Sequence, residues 1–422
     1  MPCRLLERDH FQWCLAARAA IMSSWRYLGM SGVLQPNNHI PQDTFSSFSR
    51  ENDFLSDRSA DPLRHSAVDN TIATSDIANS QSNNPFAVPS SLPTSSTPSS
   101  STGSPTTAEA LCATVPGLVS QQLKVCEAHP NAMLAVSEGA RRGIVECQHQ
   151  FKNERWNCTP EGEYEVFGHT LQRGSRETAF LYAITSAGVV HAITQSCSAG
   201  NLTDCSCDRS RQGQSTPDGW KWGGCSDNIH YGMLFAKHFV DAPERLARKR
   251  TRDIRAMMNL HNNHAGRLAI ANQMELKCRC HGVSGSCELK TCWRTLPTFA
   301  LVGNYLKQKY EHSIQISPKA KKRLRRRGKV KRKVPVRKED LVHIHKSPNY
   351  CLEDPKRGIL GTCGRQCNKT STGPESCNLL CCGRGYNTQV FRKLERCHCK
   401  FHWCCHVTCS ICENQMEIYT CK

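Results

Sequence analysis

"CRCHGVSGSCELKTCW", from Cys278 to Trp293, places four cysteines around one glycine-flanked serine, Ser284. Four cysteines allow three pairings. A nested pairing, Cys278–Cys292 outside Cys280–Cys287, makes a hairpin with a six-residue tip, His281 to Ser286. Bonding Cys278 to Cys280 would close a strained ring, because bridged Cα atoms lie about 4.4–6.8 Å apart. Gly282 and Gly285 remove side chains around Ser284, so its hydroxyl stands clear. The esterase elbow G-x-S-x-G needs a strand–turn–helix setting. Here the frame Gly282-Val283-Ser284-Gly285-Ser286 lacks the last glycine. No acid in the tip orients His281, so a serine presented for modification is the better reading than a nucleophile.

The rest of the chain places this loop outside the cell. Its 422 residues carry 27 cysteines, 55 Lys+Arg against 36 Asp+Glu, and a formal charge of +19. From Cys112 onward the cysteines recur in CxC, CC and CxxC pairs, a density that reducing compartments do not sustain as thiols. Sequons at Asn157, Asn201 and Asn368 agree with a secreted glycoprotein. The start "MPCRLLERDHFQWCLAARAAIMSSW" has early charges and an arginine in its apolar patch. It reads as an atypical, internal or mis-assigned start rather than a signal peptide. No run reaches the length of a membrane-spanning helix.

Four regions follow from composition and periodicity. Residues 1–110, with "SSLPTSSTPSSSTGSPTT" at Ser90–Thr107, form a low-complexity, disordered segment, with a mucin-like stretch as the alternative. Residues 111–315 read as a mostly helical domain. Its apolar stripes are Met133–Phe151, Phe180–Thr194, Ile254–Leu268 and Phe299–Tyr310, at three- and four-residue steps. His191 and His261 fall on two of these stripes, where a core histidine is commoner than a metal ligand. Residues 316–346 are a basic linker. "KAKKRLRRRGKVKRKVPVRK" (Lys319–Lys338) holds thirteen Lys/Arg and no acid, so it repels itself and stays extended. Residues 347–422 hold thirteen cysteines and form a small, short-strand domain in which staples substitute for a core. The fold class is therefore α+β and disulfide-rich.

"CHCKFHWCCHVTCSIC" (Cys397–Cys412) repeats the nested device, with Cys397–Cys412 outside Cys399–Cys409. The adjacent Cys404 and Cys405 bond to each other or to distant partners. A vicinal bridge would make a stiff knuckle beside Phe401, Trp403 and Val407, the material of a binding hot spot. Zinc is the competing reading, since His398, His402 and His406 add ligands, but an oxidising setting consumes thiolates as disulfides.

At these two stretches the sequence resembles the Wnt family of secreted, lipid-modified ligands. Supporting runs are "ERWNC" (154–158), "ETAF" (177–180), "WGGCSD" (222–227), "SPNYC" (347–351), "CNLLCCGRGYN" (377–387) and "CKFHWCC" (399–405). "HNNHAGR" (261–267) and "SIQIS" (313–317) look nearest the Wnt sixteen subgroup. The resemblance implies a non-enzymatic ligand without cofactor, whose Ser284 is esterified with palmitoleate by a membrane O-acyltransferase. It also implies that the hairpin with Gly282, Val283, Ser284 and Gly285 is a thumb, and Phe401–Val407, with a Cys404–Cys405 bridge, a finger. Both would grip a Frizzled receptor, while an LDL-receptor-related co-receptor binds elsewhere.

Further bridges implied by the resemblance are Cys147–Cys158, Cys197–Cys205, Cys207–Cys225, Cys351–Cys382, Cys367–Cys377 and Cys381–Cys421, with Cys112–Cys126 as an added pair. Asn157 and Asn368 match recurrent glycosylation sites of the family. The N-terminal Ser/Thr/Pro segment and an unpaired Cys363 depart from the pattern. A lipid alone gives marginal membrane attachment, so transport would need a Wnt carrier protein or heparan sulfate. The expected setting is the extracellular space or matrix.

Two other classes compete. One is an unacylated heparin-binding matrix protein using Lys321, Lys322, Arg323, Arg325, Arg326 and Arg327. The other is a nuclear or nucleic-acid-binding protein, disfavoured by the cysteine load and by the lack of interleaved aromatics in the basic run. Arg323–Arg326 also resembles a furin-type cleavage site.

Overall fold

The computed structural model describes residues 112, 115, 117–159, 167–251, 253–318, 324, 326, 327 and 336–422. The N-terminal segment and most of the basic run Lys319–Lys338, including Lys321, Lys322, Arg323 and Arg325, lie outside the described residues. Arg326 and Arg327 are described and exposed.

The helical part is assembled around one helix. The order is α1 (Ser120–Ala128), α2 (Ala132–Phe151), α3 (Gly168–Arg173), α4 (Arg176–Ser198), α5 (Ile229–Phe239), α6 (Ala242–Thr251), α7 (Ile254–Ala271) and α8 (Phe299–Glu311). α4 is buried along almost its whole length, and its sequence "ETAFLYAITSAGVVHAIT" is mostly apolar or small, with Glu177, Tyr182 and His191 as exceptions. α2, α5, α7 and α8 pack on it. Gly139 and Gly188 mark the α2–α4 crossing: a Cβ on Gly139 would lie 2.5 Å from the Gly188 carbonyl oxygen. Phe151 sits among Trp156, Phe180 and Tyr310 in edge-to-face contacts at 4.8–4.9 Å, the arrangement aromatic quadrupoles favour.

Helix starts follow local chemistry. The Asn228 side chain accepts the Tyr231 N–H at the head of α5, and Asp253 accepts the Arg255 N–H at the head of α7. Among the described residues, the helical core holds a buried ion pair between Arg267 and Asp241. Arg267 donates to both carboxylate oxygens of Asp241 at 2.9 Å, with Asn263 donating to the same carboxylate at 3.0 Å. His191 and His261 are partnered by backbone carbonyls. Their Nε2 atoms meet the carbonyl oxygens of Pro297 at 3.2 Å and Asp340 at 2.8 Å, and burial holds both imidazoles below their ordinary pKa.

Three small sheets complete the chain. β2 (Glu275–Cys280) and β3 (Lys290–Thr295) form an antiparallel hairpin, with β1 (Lys221–Trp222) parallel to β3. β4 (Ile314–Gln315) pairs in parallel with β5 (Val342–His343). In the cysteine-rich end, β6 (Gln366–Cys367) pairs with β8 (His406–Cys421), which pairs in turn with β7 (Tyr386–His402); a short helix, α9 (Cys377–Leu380), lies between β6 and β7 in the chain. β7 and β8 make a ribbon far longer than the stapled 397–412 segment, and most of it is exposed. At its base Cys377, Leu380, Cys381 and Cys421 form a small core. Arg155 donates to the Leu379 carbonyl at 2.9 and 3.0 Å, and Arg365 donates back to the carbonyls of Arg155 and Lys152. No helix among the described residues is long and apolar enough to cross a membrane.

Candidate functional site: two stapled hairpins

The first hairpin displays Ser284. Cys278 and Cys292 are direct cross-strand partners in the β2–β3 ladder, and a disulfide joins them. A second joins Cys280 to Cys287 just below the tip. Between them Val283–Gly285 make a single 3-10 turn. The Gly285 N–H donates to the Gly282 carbonyl at 3.0 Å and the Ser286 N–H to the Val283 carbonyl at 3.1 Å. Ser284 has φ 54° and ψ 26°, the left-handed region that costs a non-glycine residue about 1–2 kcal/mol. Gly285 follows at φ 79°, where glycine has no such cost.

Ser284 lies exposed in this bend. Val283, beside it, is 86% exposed. The His281 Nε2 is 2.6 Å from the Thr291 hydroxyl. The flanks are stapled strands rather than strand and helix, so the serine is shaped to receive a group from an enzyme that reaches it, not to attack a substrate.

The second hairpin is the end of the β7–β8 ribbon. Disulfides Cys397–Cys412 and Cys399–Cys409 clamp it, with a register irregularity between Cys397 and Lys400. Their sulfurs are therefore committed to bonds rather than free to ligate zinc. Phe401 pairs with Val407 and His402 with His406, leaving Trp403-Cys404-Cys405 as the tip. Trp403 is 95% exposed, and Phe401 and Val407 are also exposed. An indole that free of cover on a braced ribbon is the usual anchor of an interface hot spot.

One expectation is corrected here. Cys404 and Cys405 do not form a vicinal bridge; both are exposed free thiols. Both sit in left-handed backbone, at φ 78° and 77°. The turn closes through the Phe401–Val407 and His402–His406 strand pairing. Cys363 is likewise an exposed thiol.

The remaining bonds are Cys112–Cys126, Cys147–Cys158, Cys197–Cys205, Cys207–Cys225, Cys351–Cys382, Cys367–Cys377 and Cys381–Cys421. Asn201 and Asn368 are exposed and Asn157 is half-buried. The Asn368 side-chain oxygen accepts the Thr370 N–H at 3.0 Å and its hydroxyl at 2.9 Å, closing a local turn.

Comparison with known proteins converges on one family. Residues 114–422 match the model of the Wnt family. The chain is 53% identical to Protein Wnt-16 of Bos taurus over 317 residues, covering 74% of this chain and 87% of that protein. It is also 53% identical to Protein Wnt-16 of Mus musculus over 319 residues, with the same coverage of both chains. Among solved structures, "Human WLS in complex with WNT8A" matches with a TM-score of 0.52 and 39% identity, over 69% of this chain and 94% of that one. Wnt proteins are secreted signalling ligands, not enzymes. With the family model spanning the helical core and both stapled hairpins, this chain belongs to the Wnt family.

Proposed function

We propose that this chain is an acylated ligand whose Ser284 carries palmitoleate, attached by a membrane O-acyltransferase in the secretory pathway. The observation that carries the reading is the serine held in left-handed backbone at the bare apex of a doubly stapled hairpin. Burying a chain of roughly a dozen methylenes in a receptor groove is worth about 10 kcal/mol gross, at about 0.8 kcal/mol each, before ordering costs. The hairpin supplies a rigid mount, so less of that energy is lost to ordering the ligand.

In this reading the thumb, Gly282 to Gly285, and the finger, with Phe401, Trp403, Cys404, Cys405 and Val407, grip the cysteine-rich domain of a Frizzled receptor. An LDL-receptor-related co-receptor engages another surface. The helical unit, 111–315, and the cysteine-rich unit, 347–422, each present one hairpin, with the basic linker between them. A carrier protein would shield the acyl chain in transit; the likeness to a Wnt solved with WLS supports that part. The charge of +19 supports retention on heparan sulfate in the extracellular matrix.

The test is binding of the secreted glycoprotein to an immobilised Frizzled cysteine-rich domain. Ser284→Ala is expected to fold with the same disulfides and to lose at least a hundredfold in affinity. Wild-type affinity from a correctly bonded Ser284→Ala protein overturns the proposal.

A further inference from the structure

The loop closed by Cys207–Cys225 lies along β3, at the root of the thumb. Its Gly223 N–H donates to the Cys292 carbonyl, and the Asp227 N–H, two residues beyond the loop, donates to the Arg294 carbonyl, which seats the loop on the strand. Between loop and strand is a cavity of about 160 Å³. Asp208, Arg211, Trp222, Asp227, Met274 and Arg294 line it. Drug-sized ligands use pockets of about 300 Å³ or more. The cavity therefore suits one compact head group.

Its charged groups are unequally engaged. Asp227 has both oxygens occupied, one by the Ser198 hydroxyl and one by the Leu296 N–H. Asp208 accepts the Ser210 N–H at 2.9 Å, and that bond, with Arg211 and His230 nearby, holds its carboxyl below the ordinary range. The guanidinium groups of Arg211 and Arg294 make no hydrogen bond or ion pair with any described residue. Arg211 instead lies over the Trp222 ring, 5.3 Å from its centre, and Trp220 abuts that ring edge-on at 4.8 Å. One fork is thus positioned in advance on an aromatic face while its donors stay open. Two open guanidinium forks around a space of this size are matched by a tetrahedral oxyanion, which accepts paired N–H donors.

We propose that this cavity binds the oxyanion of a sulfate or phosphate ester on a sugar-sized ligand, separately from the acyl-bearing tip. The site does not use the basic linker, and it does not depend on Ser284 being acylated. Asp208 is the opposing element: its negative charge limits affinity and selects against ligands that cannot satisfy both arginines.

The experiment follows tryptophan fluorescence of the full secreted protein on titration with three probes: a sulfated N-acetylglucosamine, glucose phosphate and uncharged N-acetylglucosamine. Saturable binding of either charged probe, with none from the neutral sugar, is expected, and the stronger of the two identifies the ester. Arg211→Ala and Arg294→Ala should each weaken it at least tenfold, and Asp208→Asn should tighten it several-fold. Arg248→Ala, an exposed arginine on α6, should leave it unchanged, as should Ser284→Ala. Disulfide mapping and unchanged Frizzled affinity establish that the cavity variants are folded. Absence of saturable binding by both charged probes, equal binding of the neutral sugar, or an equal loss in Arg248→Ala overturns the proposal.

Discussion

Gly282 and Ser286 face each other across the tip of the thumb, the Gly282 N–H donating to the Ser286 carbonyl oxygen at 2.8 Å. A Cβ on Gly282 would lie 2.5 Å from that oxygen. The contact is with backbone, so a side chain there cannot be accommodated by a rotamer change. Gly282→Ala should open the tip at a cost of about 1–3 kcal/mol confined to the hairpin. The expected result is secreted, correctly bonded protein in which acylation of Ser284 falls at least tenfold. Peptide mass spectrometry of the 281–286 segment reads it, and full acylation would contradict the role given to the tip.

The finger makes a separate prediction. Trp403 touches nothing that stabilises the fold, being 95% exposed. Trp403→Ala should leave the thermal midpoint within about 1–2 °C of wild type, as surface changes within about 0.5 kcal/mol do. Affinity for the Frizzled cysteine-rich domain should fall at least tenfold, the loss expected of an aromatic anchor at about 1.4 kcal/mol or more. Calorimetry and a binding curve on the same sample separate the two.

Arg267 is 3% exposed and pairs with a carboxylate that is also buried. Removing one partner strands the other charge, which costs about 3–5 kcal/mol. Arg267→Ala should therefore lower unfolding free energy by that amount in denaturant titrations and reduce secreted yield. Arg267→Ala with Asp241→Ala should recover part of the loss, because no unpaired charge remains.

Stability should also fall as pH drops. Burial, with Arg267 and His261 nearby, lowers His264 from 6.5 to about 4; burial, with Arg176 nearby, lowers His343 to about 4 as well. Both bind fewer protons folded than unfolded between those values. The unfolded state thus gains protons first as acid is added, and stability declines from about pH 6.5 towards pH 4. Each histidine contributes at most about 1.4 kcal/mol per pH unit in that window. Denaturant titrations at stepped pH should show the slope, and it should flatten in a His264→Asn, His343→Gln protein. An unchanged slope in that variant would assign the acid sensitivity elsewhere.

What sequence made legible was whatever has a period or a pairing. Met133, Ile144 and Phe151 announce α2 because one face is buried at helical steps, and the nested cysteines announce both hairpins. α6 escaped, because "APERLARKRT" buries only Ala242 and leaves no stripe. α5 carried a findable signal, Gly232, Phe235, Ala236 and Phe239 behind the Asn228 cap. The length of β7 and β8 was hidden because both faces are exposed and alternation is weak. Cys404 and Cys405 misled for a different reason: adjacency of two sulfurs says nothing about the backbone angles that decide whether they meet. The cavity joins Asp208, Arg211, Trp222, Met274 and Arg294 from three separate stretches, a proximity that only the fold creates.

The acyl group on Ser284 can be read directly by proteolysing signalling-competent protein from conditioned medium and weighing the peptide that spans the thumb. The expected peptide carries a palmitoleoyl increment localised to Ser284. Recovery of the unmodified peptide alone, from protein that still binds its receptor at full affinity, would contradict it.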